Sequence, residues 1–471
     1  MNQTGINLLL DGEPLGGVLR LLCEETVESA AGTIQFVDNQ VVVNFTVEPM
    51  SRLAATLLPG HVMVLDDEEV APLRFSQTAI FESRLGSLTL IQIGVAQVLT
   101  HTLTHPLECR LRPRFTVLAH VGEPYWRRPT KVMAEVGGLT AWVHDGRVTR
   151  SGSLNSDERD GGVQDWSLTF RDFGDQVFRF DESSSTLAIR SLKEINHTAP
   201  RDELTVRFRT VVMVERSNES TWTQAKDTID AIQELVSFLS WSNQQWGYFH
   251  CKFGVPTTVD KDYWDSIDFP PPPEIPESWK RTLTSQSNDD AEATTKELAF
   301  AMPFNELKES SIDDWIQIRE EFAEGLSQIL QVIKSPSMTP EVRALQLGAG
   351  IERLGFRSLA ARTDADKADR ARAKKLFNEI GSEAVRLFPE VFGSWSESAN
   401  HNYQSMKHLG RAGEVPTVGD LARTNDLTVL VFQIWLAKKL GASDERLRTH
   451  IRDSWRFSSD YSRVADPSEI R

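Results

Sequence analysis

A chain of 471 residues is too long for one ordinary core, and 40% hydrophobic with 25% charged residues excludes wholesale disorder. Three cysteines (Cys23, Cys109 and Cys251), far apart and odd in number, argue against a disulfide framework or a zinc ribbon and fit a reducing compartment. A net charge of −16 opposes non-specific coating of nucleic acid, so any phosphate chemistry must come from a local cluster of cations.

The first residues, MNQTGINLLLDGEPLGG, have neither the basic segment nor the apolar run of a signal peptide. Residues 1 to about 215 then read as strands. Gly32–Val47 holds two runs rich in Val, Ile and Phe, parted by Asp38-Asn39, which is a hairpin signal. LRFSQTAIFES and GSLTLIQIGV repeat the pattern, and DWSLTFRDFGDQVFRF and DELTVRFRTVVMVE alternate apolar and polar residues at period two. A sandwich or barrel-like sheet is expected, its strand order illegible. Histidines in this half are scattered, which gives little support to a small-molecule enzyme built there.

Between Thr221 and Trp241 the period changes. Ala225, Ile229, Ile232, Leu235, Val236 and Leu239 fall at helical spacing. WGYFHCKFGV follows as a short aromatic strand, and 256–299, with the run Pro270 to Pro273, reads as a linker. Beyond it the chain is helical. Trp315, Ile318, Phe322, Leu326, Ile329 and Ile333 form one stripe, and Thr339-Pro340 is an N-cap followed by proline at the first helical position. Leu427 to Leu440 is apolar, but Gln433 and Lys438–Lys439 make it too polar to span a bilayer. The expectation is a cytoplasmic α+β, multidomain protein: a strand-rich domain with a closing helix over 1–255, a Pro-rich linker over 256–299, and an all-α bundle over 300–471.

Basic residues outnumber acids between Glu341 and Arg386, as either a binding surface or a solvated face whose charges are paired; the second reading is preferred. The segment that concentrates polar chemistry is Ser398 to Pro416. As a helix it places His401, Gln404 and His408 on one face, and Asn400, Tyr403 and Lys407 on the next. RNA cleavage needs a base for the 2′-hydroxyl, an acid for the leaving oxygen and a cation for the phosphorane. Histidine suits the proton steps and lysine or arginine the phosphate. The same residues also suit an ordinary polar helix end with Gly410 and Arg411 as its cap, and spacing alone does not decide between them. A metal held by His401 and His408 is less favoured, since no carboxylate joins them on that face.

Four stretches carry a family resemblance: Phe115–Val143, ending in Leu139-x-x-Trp142; the helix around IDAIQELVSFLSW; FNELKESSIDDWIQIREEF with VRALQLGAGIERL; and NHNYQSMKHLG with the apolar helix after it. Together they resemble ApeA-type antiphage proteins, whose C-terminal domain is a HEPN helical bundle. The resemblance covers most of the chain. It implies a metal-independent endoribonuclease without cofactor, acting in abortive infection. It also implies an RNA target (tRNA by analogy with relatives), a phage-derived trigger sensed or restrained through the N-terminal domain, and a homodimer with a composite site. It carries the family's histidine over to His408; together with the reading of the residues above, His408, Lys407 and Tyr403 are the catalytic candidates. Asn400, His401, Asn402, Gln404, Arg411 and Glu352 would support or bind RNA. The chain departs from the HEPN pattern at one point. The arginine expected upstream of the histidine would fall at 401, 402 or 403, which are His401, Asn402 and Tyr403. Lys407 is then the nearest cation, and the alternative reading is a degenerate HEPN protein that binds RNA or protein without cutting. Tyr125, Trp126 and Trp142 are candidate recognition aromatics, with packing preferred for Trp142.

Overall fold

The computed structural model describes residues 1–23, 27–38, 40–48, 51, 53–54, 75–93, 96–99, 106–118, 129–143, 148–154, 163–170, 176–180, 185–198, 203–216, 222–253, 280–284, 298–308, 310–363, 371–408 and 415–453. After a first helix, α1 (Gln3–Leu10), come β1 (Leu15–Cys23), β2 (Val27–Val37), β3 (Gln40–Val47), β4 (Phe75–Ser83), β5 (Gly86–Ile93), β6 (Gln97–Val98), β7 (Leu107–Leu111) and β8 (Pro113–Val117). Next are β9 (Pro129–Val136), a short helix α2 (Leu139–Val143), β10 (Val148–Leu154), β11 (Val163–Phe170), β12 (Gln176–Phe180), β13 (Ser185–Thr198) and β14 (Glu203–Arg216). Helix α3 (Trp222–Ser240), β15 (Trp246–Phe253) and β16 (Lys280–Thr284) close the strand-rich part.

Fourteen of these strands form one hydrogen-bonded sheet in the order β12-β13-β14-β9-β15-β16-β8-β5-β4-β1-β2-β3-β7-β6, and β10 pairs with β11 as a separate ribbon. Every pairing is antiparallel. The expected hairpin forms, with Val37 opposite Gln40 and Asp38 at φ 51° supplying the left-handed turn that Asp tolerates better than most residues.

One expectation needs correction. The span 256–299 is not linker throughout, because Lys280–Thr284 enters the sheet as β16. Arg281 pairs with His250 on one side, and Thr282 pairs with Val117 on the other. This strand joins two otherwise separate runs of strands. Its sequence, KRTLT, offers a single apolar residue, Leu283, which is buried; so short a strand leaves no legible alternation. The proline run itself lies outside the described residues, as do Tyr125 and Trp126.

The helical region comprises α4 (Ser311–Glu321), α5 (Ala323–Lys334), α6 (Pro340–Arg362), α7 (Ala373–Leu387), α8 (Pro389–Phe392), α9 (Trp395–Lys407), α10 (Val418–Lys439) and α11 (Asp444–Asp453). Among the described residues, no helix is long and apolar enough to cross a membrane. The stripe from Trp315 to Ile333 is buried as expected but belongs to two helices. The break falls at Phe322 (φ −107°, ψ 17°), whose ring packs edge-on against Trp435 at 5.2 Å. Thr339 caps α6 by accepting from the Val342 N–H, with Pro340 in the first turn.

Among the described residues two large apolar cores result. One lies within the run of strands built from β1 to β8. The other is continuous from the β9, β14 and β15 side of the sheet, through α3, into the helices. Helix α3 therefore serves both halves. Trp315 Nε1 donates to the Ala231 carbonyl at 2.7 Å, and Gln433 Nε2 donates to the carbonyls of Phe238 (3.1 Å) and Leu239 (3.0 Å). Arg319 donates to Glu234 at 2.6 Å and pairs with Asp227 at 3.0 Å. Trp142 is buried, its Nε1 donating to the Met302 carbonyl at 2.7 Å; in this structure it is a packing residue.

Candidate functional site

Helix α9 forms because Trp395, Ala399, Asn402, Tyr403 and Met406 recur at helical spacing and are buried, while Glu397 and Lys407 sit at the ends that suit their charges. Trp395 Nε1 donates to Thr428 Oγ1 at 3.1 Å, seating α9 on α10. The helix ends at Lys407. His408 is the C-cap, with φ −125° and ψ 51°, and its N–H donates to the Gln404 carbonyl at 3.0 Å. Of the face of His401, Gln404 and His408, His401 and His408 are exposed and Gln404 is half-buried, with His408 as the residue that caps the helix.

Two members of the neighbouring stripe, Tyr403 and Lys407, do meet. Tyr403, 3% exposed, donates its phenol proton to Glu352 Oε2 on α6 at 2.8 Å. Lys407 Nζ donates to the same phenol oxygen at 3.1 Å, lies 5.0 Å from the ring centroid and sits 3.7 Å from Glu352 Oε2. A lysine ordinarily samples many rotamers; here ring, phenol and carboxylate hold one ammonium in place. Burial, then the hydrogen bond to the Glu352 carboxylate, pushes the Tyr403 phenol above its ordinary value. The hydrogen bond to Tyr403 raises Lys407, assisted by the charge of Glu352. At neutral pH the first is a neutral phenol and the second a cation.

Both groups have folded values above their ordinary 10.0 and 10.5, so their contribution to stability is present below about pH 10 and is lost as pH rises through the raised values. Thermal melts from pH 8 to 12 should show stability falling on the alkaline side, less steeply in Tyr403→Phe. An identical alkaline slope in the two chains would remove Tyr403 from this account.

Gly348 makes the arrangement possible. A Cβ there would lie 2.4 Å from Tyr403 Cδ2, so α6 must present bare backbone to the ring. Phe377 stands on the ring as well, with centroids 6.1 Å apart, which limits its retreat. Gly348→Ala gains about 1 kcal/mol of helix propensity but overpacks at a cost of about 1–3 kcal/mol. A lower denaturant midpoint with weakened anchoring of Lys407 is expected, and an unchanged midpoint would show that the ring has room. Spacing arguments pass over this glycine, although Gly348, Gly350 and Gly355 within one helix are a signal of close approach.

The other candidates divide. Asn402 is 4% exposed and its Nδ2 has no hydrogen-bond partner. Asn400 is half-buried with an unpartnered Oδ1. Arg411 lies outside the described residues. Among the described residues, no group of three or more His, Cys, Asp or Glu side chains converges as a metal would require.

The basic stretch resolves toward the paired reading. Arg353 and Arg357 reach Glu324 at 3.2 and 3.8 Å, Lys374 reaches Glu397 at 2.9 Å, and Arg362 pairs with Glu379. Arg386 is shared between Glu383 and Asp444 at 2.7 and 2.6 Å. Most of these pairs join different helices, where i, i+4 pairs had been expected. Lys367 and Arg370 lie outside the described residues.

No family model, curated protein or solved structure matches the chain.

Proposed function

We propose that this chain is an ApeA-like HEPN endoribonuclease of antiviral defence, cutting RNA, with tRNA as the first target to test, when an infection signal reaches the strand-rich half. The observation that carries the reading is the anchored ammonium of Lys407 at the end of α9, with His408 next in the chain at the cap. Because Lys407 stays protonated at neutral pH it supplies charge and no base, and the neutral phenol of Tyr403 positions it. Proton transfer is left to imidazole. In this scheme His408 takes the 2′-hydroxyl proton, the 2′-oxygen attacks phosphorus, and the P–O5′ bond breaks. A second imidazole protonates the departing 5′-oxygen, leaving a 2′,3′-cyclic phosphate. That second group is the partner copy's histidine in an isologous dimer, which also doubles the local positive charge. Val342, Val415 and Val418, exposed at the starts of α6 and α10, give that contact an apolar component. The shared core at α3 offers a path by which the sheet restrains the bundle.

Incubating the purified full chain with total RNA in excess chelator tests the proposal; new 2′,3′-cyclic phosphate ends support it. Two observations favour the second reading, a non-cutting RNA- or protein-binding module: no arginine stands at 401, 402 or 403, and Glu352 already offsets the charge of Lys407. RNA binding without cyclic ends, under every activating condition tried, would decide for it.

A further inference from the structure

Lys407 is not waiting unpaired for a phosphate. Glu352 Oε2 lies 3.7 Å from its Nζ and also accepts the Tyr403 phenol proton at 2.8 Å, so one carboxylate oxygen faces two donors. Glu352 and Lys407 remain reachable from solvent, with side chains 28% and 43% exposed. A phosphodiester seeks the same charge-assisted hydrogen bonds from the ammonium that the carboxylate now takes, and an anion approaching Lys407 meets a like charge beside it.

We propose that Glu352 is an internal competitor for the phosphate subsite at Lys407, its carboxylate holding the ammonium in the unliganded chain and yielding when an RNA phosphodiester binds. This rests on the RNA reading above and adds a specificity element to it. Only a substrate with enough further contacts displaces the internal anion, so short or isolated phosphates are rejected. Tyr403 is a positioning residue in this scheme. It keeps the ammonium where carboxylate and phosphate exchange, and its phenol remains bonded to either a carboxylate or an amide at 352.

The test uses the full chain, Glu352→Gln and Tyr403→Phe, with an uncleavable 2′-deoxy oligonucleotide as probe. Glutamine keeps the shape and the acceptor for Tyr403 but removes the charge. Glu352→Gln should bind the oligonucleotide at least about tenfold more tightly, from the loss of one like charge near the phosphate. Tyr403→Phe, which keeps the carboxylate but loosens the ammonium, should not bind the oligonucleotide more tightly than the wild type. A second readout needs no RNA: in 13C-labelled lysine spectra, the Lys407 signal, identified by its absence from Lys407→Arg, should titrate at lower pH in Glu352→Gln than in the wild type. Equal or weaker oligonucleotide binding by Glu352→Gln, or an unmoved Lys407 titration, overturns the competitor role even if the wild type cuts RNA. Failure of every chain to bind the oligonucleotide or cut RNA removes the RNA reading, and this proposal with it.

Discussion

Replacing His408 by alanine is expected to slow RNA cleavage by about 10²–10⁴-fold while leaving the fold intact, the usual range for removing a group that moves a proton in the transition state. The fold should be indifferent because His408 is exposed and contributes only its backbone N–H to the end of α9, a bond alanine also makes. Exposed substitutions of this kind are usually within about 0.5 kcal/mol of neutral. Loss of activity without loss of stability would therefore report chemistry and not collapse. Lys407→Ala is a different experiment. It removes a cation that rests on the Tyr403 ring and faces Glu352, so it loses charge at the phosphate and also leaves the carboxylate uncompensated. Lys407→Arg keeps the charge but brings a planar guanidinium to a place shaped for an ammonium, and partial activity is expected from it. Equal cleavage by wild type and His408→Ala would strike the imidazole from the mechanism. A composite site that takes an imidazole from each protomer makes a further demand: heterodimers of wild type with His408→Ala hold a single imidazole, so mixing the two chains should lower activity below that of the wild-type chains alone.

How much of this was legible depended on distance along the chain. The hairpin at Asp38, the cap at Thr339 and the stripe of Trp315 and its neighbours are local patterns, and the structure contains all three. Tyr403 and Lys407 are one helical turn apart, so their meeting was readable as well. Glu352 is 51 residues from Tyr403 and no periodicity joins them; only a family resemblance singled it out. That the helix stops at Lys407 and leaves His408 as its cap was not readable, because spacing assumes that a helix continues. Likewise Lys280–Thr284 is too short and polar to announce a strand. The shared role of α3 arises from contacts such as Gln433 with Phe238, 195 residues apart, which leave no trace in a window of any useful length.

That sharing leads to the largest stability effect expected here. Trp315 is fully buried on α4, its indole N–H bonded to the Ala231 carbonyl on α3 and its ring edge-on to Phe238 at 5.9 Å. Phe238 in turn packs against Phe432 of α10 at 5.2 Å, so the indole closes a cluster drawn from three helices on both sides of the chain. Trp315→Ala removes about 3–5 kcal/mol through lost burial and the cavity that remains. Measured against a typical stability of about 5–15 kcal/mol, that is a large fraction of the whole. Trp315→Phe keeps most of the ring and forfeits the hydrogen bond, so a smaller loss is expected. Because this core runs without interruption from β9, β14 and β15 into the helices, the sheet side and the bundle should unfold together. Denaturant titrations followed by far-ultraviolet circular dichroism and by tryptophan fluorescence should coincide in the wild type. In Trp315→Ala both should shift to lower denaturant. Two separated transitions in the wild type would mean that α3 belongs to one half only, and the route from sheet to site would have to be sought elsewhere.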